Sequence, residues 1–380
     1  MIIYNAVIDG VLSVIEFNEK IEKIYPGELM NITPEDFDAK GNVLIPGFID
    51  AHNHLGIVGN ALDTEDDDCN ETAEPFAPHL RAIDGINTFD KCFGEALSYG
   101  ITTAVISPGS ANPCGGEIVA VKTGEKDPGK AVIKTVGIKF ALGENPKFAR
   151  GSDESPVTRM GTAAIIREGL YKAVRYKEDL DEWKNGNSDE TENENDRPEF
   201  DLKSESLIPL LERKIKAFFH CHRAYDIFTA IRIAEEFNLD LVIIHGTEAH
   251  LVKDTLAEKK IPVILGPAIG ARTKPELSEL SEQSGAFLEQ AGVNFAICTD
   301  HPEIPVHHLG TSVMTLVRCG MSEAAGLLSI TRSAAEICSL SSLGRLEVGC
   351  DADFLLFDKE EDVFLKKPND VFLGGRCVTL

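Results

Sequence analysis

Basic side chains are scarce in this chain: 37 Lys and Arg stand against 62 Asp and Glu, a formal net charge of −25 over 380 residues. Nucleic acid and anionic membrane surfaces are recognised through clustered Lys and Arg, so neither is an expected partner. Long apolar runs are missing too; no stretch approaches the roughly 20 residues that cross a bilayer. The opening Met1-Ile2-Ile3-Tyr4-Asn5 has no basic segment or cleavage site of the secretory kind. Cysteines number nine, an odd count, and stand singly without a CxxC pair, several inside apolar runs such as Phe218-Phe219-His220-Cys221 and Ala296-Ile297-Cys298. That usage argues against a disulfide framework and for buried thiols in a reducing compartment. A cytoplasmic location is the expectation.

What is present is an ordinary globular balance, 43% apolar and 26% charged, on a chain long enough for one barrel and an accessory unit. The first forty residues read as short strands over Ile2–Ile8, Val11–Phe17 and Glu19–Ile24. From Val43 the pattern becomes apolar strands that end in polar residues, with helical stretches between them. The strands expected are Val43–Asp50, Thr102–Ile106, Glu117–Lys122, Thr135–Leu142, Ala217–Cys221, Leu241–His245, Pro262–Leu265 and Phe295–Thr299. Nearly continuous apolar strands imply a parallel sheet buried on both faces, and this number suits a closed (β/α)8 TIM-like barrel, an α/β fold. Among the links, Phe89, Cys92, Phe93, Ala96 and Leu97 share one helical face, with Thr88 as the expected cap and Gly100 as the stop. Asp226 likewise precedes Ile227, Ala230, Ile231 and Ala234. From Asp353 the chain returns to short strands. The expected division is therefore a small β-sandwich domain from 1–42 and 341–380, built around a barrel over 43–340. Asn185 to Asp201 is dense in Asp, Glu and Asn and poor in apolar residues, which predicts a mobile surface loop.

The chemistry concentrates at strand ends. In Asp50-Ala51-His52-Asn53-His54 the two imidazoles are two residues apart, so on an extended backbone they point to one side and can converge on one ion. His220, His245 and Asp300 end the fifth, sixth and eighth expected strands. Four histidines and an aspartate, all where barrel active sites form, point to a divalent-metal centre. These ligand types suit Zn²⁺, Mn²⁺, Fe²⁺ or Ni²⁺, with zinc the leading expectation.

The segment Leu44-Ile45-Pro46-Gly47-Phe48-Ile49-Asp50-Ala51-His52-Asn53-His54 resembles the signature of the amidohydrolase superfamily. Gly344-Arg345-Leu346-Glu347-Val348-Gly349-Cys350-Asp351-Ala352-Asp353 resembles the stretch by which such chains return from barrel to β domain. The nearest likeness is to the imidazolonepropionase- and prolidase-related group. The resemblance implies that His52, His54 and Asp300 hold the more buried ion, and His220 and His245 a second. It also implies that Lys139, in Val136-Gly137-Ile138-Lys139-Phe140, bridges the two ions as a carboxylated lysine; Glu144 is the competing anionic ligand. One or two ions per chain remain open.

On this resemblance the activity is hydrolysis of a C–N bond, in an amide, cyclic amide or dipeptide, by metal-activated water. Asp300 serves as proton shuttle and His245 helps to polarise the carbonyl. Deamination of a small heterocycle on one ion, and a catalytically dead structural paralogue, are the alternatives. Residues placed to shape a small-molecule pocket are His222, His301, Arg159, Arg223 and Arg272, the arginines as candidates for a substrate carboxylate. Self-association into a homo-oligomer is left open.

Overall fold

The structure, a computed structural model, describes residues 1–29, 31–59, 67–148, 155–186 and 197–378. Alternating apolar residues at the N-terminus form β1 (Ile2–Ile8), β2 (Val11–Phe17) and β3 (Ile21–Pro26), close to expectation. Asp9 and Gly10, at φ 49 and 78, make the two-residue turn that sets the β1–β2 register. A two-residue hairpin turn of this hand needs positive φ at both positions, which Asp-Gly tolerates. β4 (Phe37–Asp38) and β5 (Val43–Pro46) join the same sheet.

The barrel-shaped sheet follows: β6 (Phe48–Asn53), β7 (Ile101–Ile106), β8 (Cys114–Lys122), β9 (Val132–Ala141), β10 (Lys216–Cys221), β11 (Leu241–His245), β12 (Val263–Leu265) and β13 (Phe295–Ile297). β14 (Phe354–Phe357), β15 (Asp370–Leu373) and β16 (Arg376–Val378) then return to the terminal sheet, whose order is β16-β15-β14-β5-β1-β2-β3, with β4 on β1. This sheet curls on itself, for Phe17 of β2 packs edge-on against Phe354 of β14 at 4.9 Å. The expected sandwich is thus one curled sheet rather than two.

Two further expectations change. The run Val43–Asp50 is not one strand: Val43–Pro46 pairs with β14, and the barrel begins at Phe48. Gly47 is the crossing point, where a Cβ would lie 2.2 Å from the Thr102 hydroxyl. β8 runs antiparallel to both β7 and β9, so the sheet is not uniformly parallel. The link over 107–113 is too short for the crossover of a dozen or more residues that a parallel neighbour requires. The remaining neighbours in the order β6 to β13 pair in parallel.

Every strand of this sheet sends a side chain to one inner cluster, among them Ile49, Val105, Ile118, Val136, Phe218, Val242, Ile264 and Ala296. The barrel is filled, not hollow. Its closure is local and polar: Thr299, just past β13, donates its backbone N–H at 3.1 Å and its hydroxyl at 2.5 Å to the buried Asp50 carboxylate on β6. The Asp300 N–H donates to the His52 carbonyl at 3.1 Å.

Of the helices, Lys91–Ser98 buries Cys92, Phe93, Ala96 and Leu97 as expected. Its cap is Asp90 rather than Thr88, and Phe89 is exposed. Asp226 sits in the first turn of helix Ala224–Glu236. The acidic stretch expected to be mobile lies, over 187–196, outside the described residues.

Candidate metal centre

His52 and His54, at the end of β6, both face the Asp300 carboxylate, with Nε2 atoms 3.3 and 3.4 Å from Oδ1. The His54 Nδ1–H donates to the Ser107 carbonyl at 2.6 Å. That bond leaves Nε2 as the ligand atom. Burial would raise the Asp300 carboxyl, but the imidazoles of His245, His52 and His54 outweigh it and hold the group well below the usual carboxylate range. Burial pulls His54 down, yet Cys69 and Asp300 beside it raise its pKa to about 10. The surroundings of His54 and Asp300 thus favour positive charge between them.

A second group adjoins the first. His220, His222 and His245 present ligand atoms within 4.8 Å of one another. The His245 Nδ1–H donates to the Gly266 carbonyl at 2.7 Å, and His222 Nδ1 lies 2.8 Å from the Thr247 hydroxyl. His220 is 2% exposed and, among the described residues, finds no hydrogen-bond partner at either ring nitrogen. Burial keeps these rings neutral: it pushes His220 and His52 well below the ordinary imidazole value and His222 and His245 down to about 3.

Backbone strain aims two of the candidate ligands. His245 has φ 72 and Asp300 φ 55, left-handed values that non-glycine residues seldom adopt. Val242 and Ile244 on β11 point into the barrel. Regular alternation would therefore turn His245 outward. The left-handed turn brings it back, 4.6 Å from His220 and 5.4 Å from His52 between ring centroids.

Lys139 is wholly buried, and its Nζ has no hydrogen-bond partner among the described residues. Burial lowers its pKa to about 8. Buried unpartnered polar atoms cost about 1–3 kcal/mol each, more when charged. The orphaned nitrogens of His220 and Lys139, with the two clusters of ligand atoms, are the surroundings a divalent ion removes from that cost. The donor set fits the metal expected from the sequence.

A cavity of about 350 Å³ opens onto both groups, lined by His54, His220, His222, His245 and Asp300, with Asn70, Asn145 and Lys274 on other walls. The arginines proposed for substrate do not line it. Arg159 pairs with Asp226 at 3.1 Å and lies over the Tyr225 ring. Arg223 is bound to Glu248 at 2.7 Å and to Ser278 at 3.1 Å, and Arg272 to the Leu280 carbonyl at 3.0 Å. His301 is buried, its Nδ1 accepting from the Val306 N–H at 3.2 Å. Glu144 belongs to neither ligand group among the described residues; its backbone N–H donates to Glu276 at 3.0 Å. Asn70, Asn145 and Lys274 escaped the sequence reading because two sit in loops and Asn145 opens a one-turn helix, all without periodicity or motif. A larger groove of about 650 Å³, between Arg213, Lys216, Leu241 and Asn294, lies at the opposite ends of the strands and contains no ligand group.

A barrel-shaped sheet with clustered imidazoles and a carboxylate at the strand ends is the frame of one large enzyme class. The chain belongs to the amidohydrolase family, whose model matches residues 188–378. An amidohydrolase from Thermotoga maritima shares 37% identity and superposes with a TM-score of 0.91, covering 100% of this chain and 99% of its own. The amidohydrolase tasK of Hapsidospora irregularis is 28% identical over 371 residues, 90% of this chain; those residues are 37% of that protein's length. A 5-methylcytosine deaminase from Klebsiella pneumoniae, at 15% identity and a TM-score of 0.57 over 100% of this chain and 97% of its own, shares the fold.

Proposed function

We propose that this chain hydrolyses a C–N bond in a small molecule, an amide, cyclic amide or dipeptide, with water activated at a divalent-metal centre. The observation that carries the reading is the opening of two groups of ligand-type side chains, His52–His54–Asp300 and His220–His222–His245, onto one cavity, with buried Lys139 within electrostatic reach of Asp300 and His220. His52, His54 and Asp300 would hold the more buried ion and His220 and His245 the second, with carboxylated Lys139 serving both; zinc is the preferred metal. A divalent ion supplies Lewis acidity and lowers the pKa of water from about 15.7 toward about 7.

The protein's own groups do the rest. Asp300, held ionised by its imidazoles, takes the proton from the attacking water and hands it to the leaving nitrogen. His245, its Nδ1–H fixed by the Gly266 carbonyl, presents Nε2 to the cavity as a ligand atom beside the substrate carbonyl. Lys274 and Asn145, 2.9 Å apart on the cavity wall, orient the substrate's polar end. The free and mostly buried cysteines support a reducing, cytoplasmic setting.

The test is a substrate panel offered to the zinc-loaded protein: dipeptides, N-acyl amino acids, cyclic amides and amino-heterocycles. Metal-dependent cleavage of an amide, abolished by Asp300→Asn, is expected. Faster release of ammonia from a heterocycle would replace this reading by deamination.

A further inference from the structure

The sequence carries the His-x-His spacing twice, as His52-Asn53-His54 on β6 and as His220-Cys221-His222 at the end of β10. Alternate residues on an extended chain share a face. In the second pair the ring centroids are 4.7 Å apart, so both imidazoles are presented together. The function proposed above uses His220 and His245 and leaves His222 without a role.

His222 is not a core histidine with its polar atoms accounted for. It is 4% exposed and lines the cavity. Its Nδ1 is held by Thr247, two residues beyond His245, at 2.8 Å. Its ring stacks on that of His245 at 4.8 Å and 14°, so the two rings project side by side. Thr247 and Gly266 occupy the Nδ1 atoms of this pair, which leaves both Nε2 atoms for another partner. Among the described residues the nearest carboxylate to His222 Nε2 is Glu276 Oε1 at 3.7 Å, beyond hydrogen-bond range. Glu276 is already engaged, by the Glu144 N–H at 3.0 Å and by Lys274 at 2.9 Å. His220, the third ring, has no partner at either nitrogen among the described residues.

We propose that His222 is a further ligand of the second ion, which His220, His222 and His245 would hold through three imidazoles beside carboxylated Lys139. The proposal rests on the reading of the cavity as a divalent-metal centre. The two positions then differ in chemistry. The first pairs two imidazoles with a carboxylate and accepts harder ions. The second, with three neutral nitrogens, selects zinc, cobalt, nickel or copper over magnesium and calcium. Thr247 is a positioning residue that sets the tautomer and tilt of His222.

Metal-depleted protein titrated with Zn²⁺ against a chromophoric chelator tests this. The wild type takes up two ions. His222→Asn keeps one at unchanged affinity, and its second dissociation constant rises on the order of 10²-fold or more, above the 10–100-fold typical of lost supporting contacts. Thr247→Val weakens the same step about tenfold. Free imidazole restores the second ion to His222→Gly. Should His222→Asn fail to fold, X-ray absorption on zinc-loaded His54→Asn, in which the first site is disabled, counts imidazoles at the remaining ion. Three support the assignment and two overturn it. Two ions held at wild-type affinity by His222→Asn also overturn it, leaving the function untouched. A wild type that binds no divalent ion overturns the functional reading itself.

Discussion

Lys139 offers the sharpest test of how the centre is assembled. Its amine is fully buried, has no hydrogen-bond partner among the described residues, and is brought by burial from 10.5 to about 8. At pH 7.5 about a quarter of such an amine is uncharged, against roughly one part in a thousand for an ordinary lysine. The supply of the form that attacks CO2 rises roughly two-hundredfold. Addition of the amine to CO2 forms one N–C bond and releases one proton. It turns a cation that repels divalent ions into a carbamate with an oxygen for each. Protein loaded with zinc in ¹³C-bicarbonate should show a carbamate carbon by NMR that is absent from Lys139→Ala. That variant should lose turnover on the order of 10²-fold or more and hold its second ion more weakly. Short carboxylic acids, which fill the vacated space with an anion, should restore part of both. Lys139→Arg should not respond, because the guanidinium stays charged and occupies the position. Unchanged metal affinity and turnover in Lys139→Ala would refute the reasoning and leave a centre without a bridging lysine.

Asp300→Asn should keep the fold by circular dichroism and lose more than the roughly 10²–10⁴-fold share of general acid–base catalysis; near-normal kcat would remove Asp300 from proton transfer. Chelation should lower Tm, since an ion bound only by the folded chain stabilises it by about 2.7 kcal/mol at a hundredfold excess over Kd. No shift by scanning fluorimetry would argue against bound metal. Thr299→Val strips a hydroxyl donor from buried Asp50 and should cost about 1–3 kcal/mol in urea unfolding; an unchanged midpoint would show that the barrel closes by other means. Burial outweighs the Thr299 hydrogen bonds and raises Asp50 from 3.8 to about 7. The folded chain therefore keeps a proton that the unfolded chain releases, so the group's contribution is full below about pH 4 and is lost as pH rises through about 7. Metal-depleted protein should show that decline, and Asp50→Asn should flatten it.

Much of the architecture was legible where local pattern and final environment agree. Period-two alternation and the Asp9-Gly10 turn are enough to place β1 and β2, because both act within a few residues. Leu241–His245, apolar until its last residue, reads correctly as a buried strand. The spacing of His52 and His54 announces a shared direction, and the structure has both facing Asp300. The arginines show the limit: Arg159, Arg223 and Arg272 follow strand ends as pocket residues would, yet each is taken by another protein group, Arg159 and Arg223 by carboxylates distant in sequence.

The sequence by itself determined which residues could be strands and which strand ends carry ligand chemistry, since both depend on side-chain type and short spacing. Only the tertiary structure decided that Val43–Pro46 leaves the barrel for the terminal sheet, and that β8 runs against its neighbours. An apolar run carries no mark of its partner or direction. The inward turn of His245 and the joining of His222 to His220 and His245 were likewise decided there. Strained backbone angles and convergence across strands are set by packing of the whole sheet, at separations where no local pattern reaches.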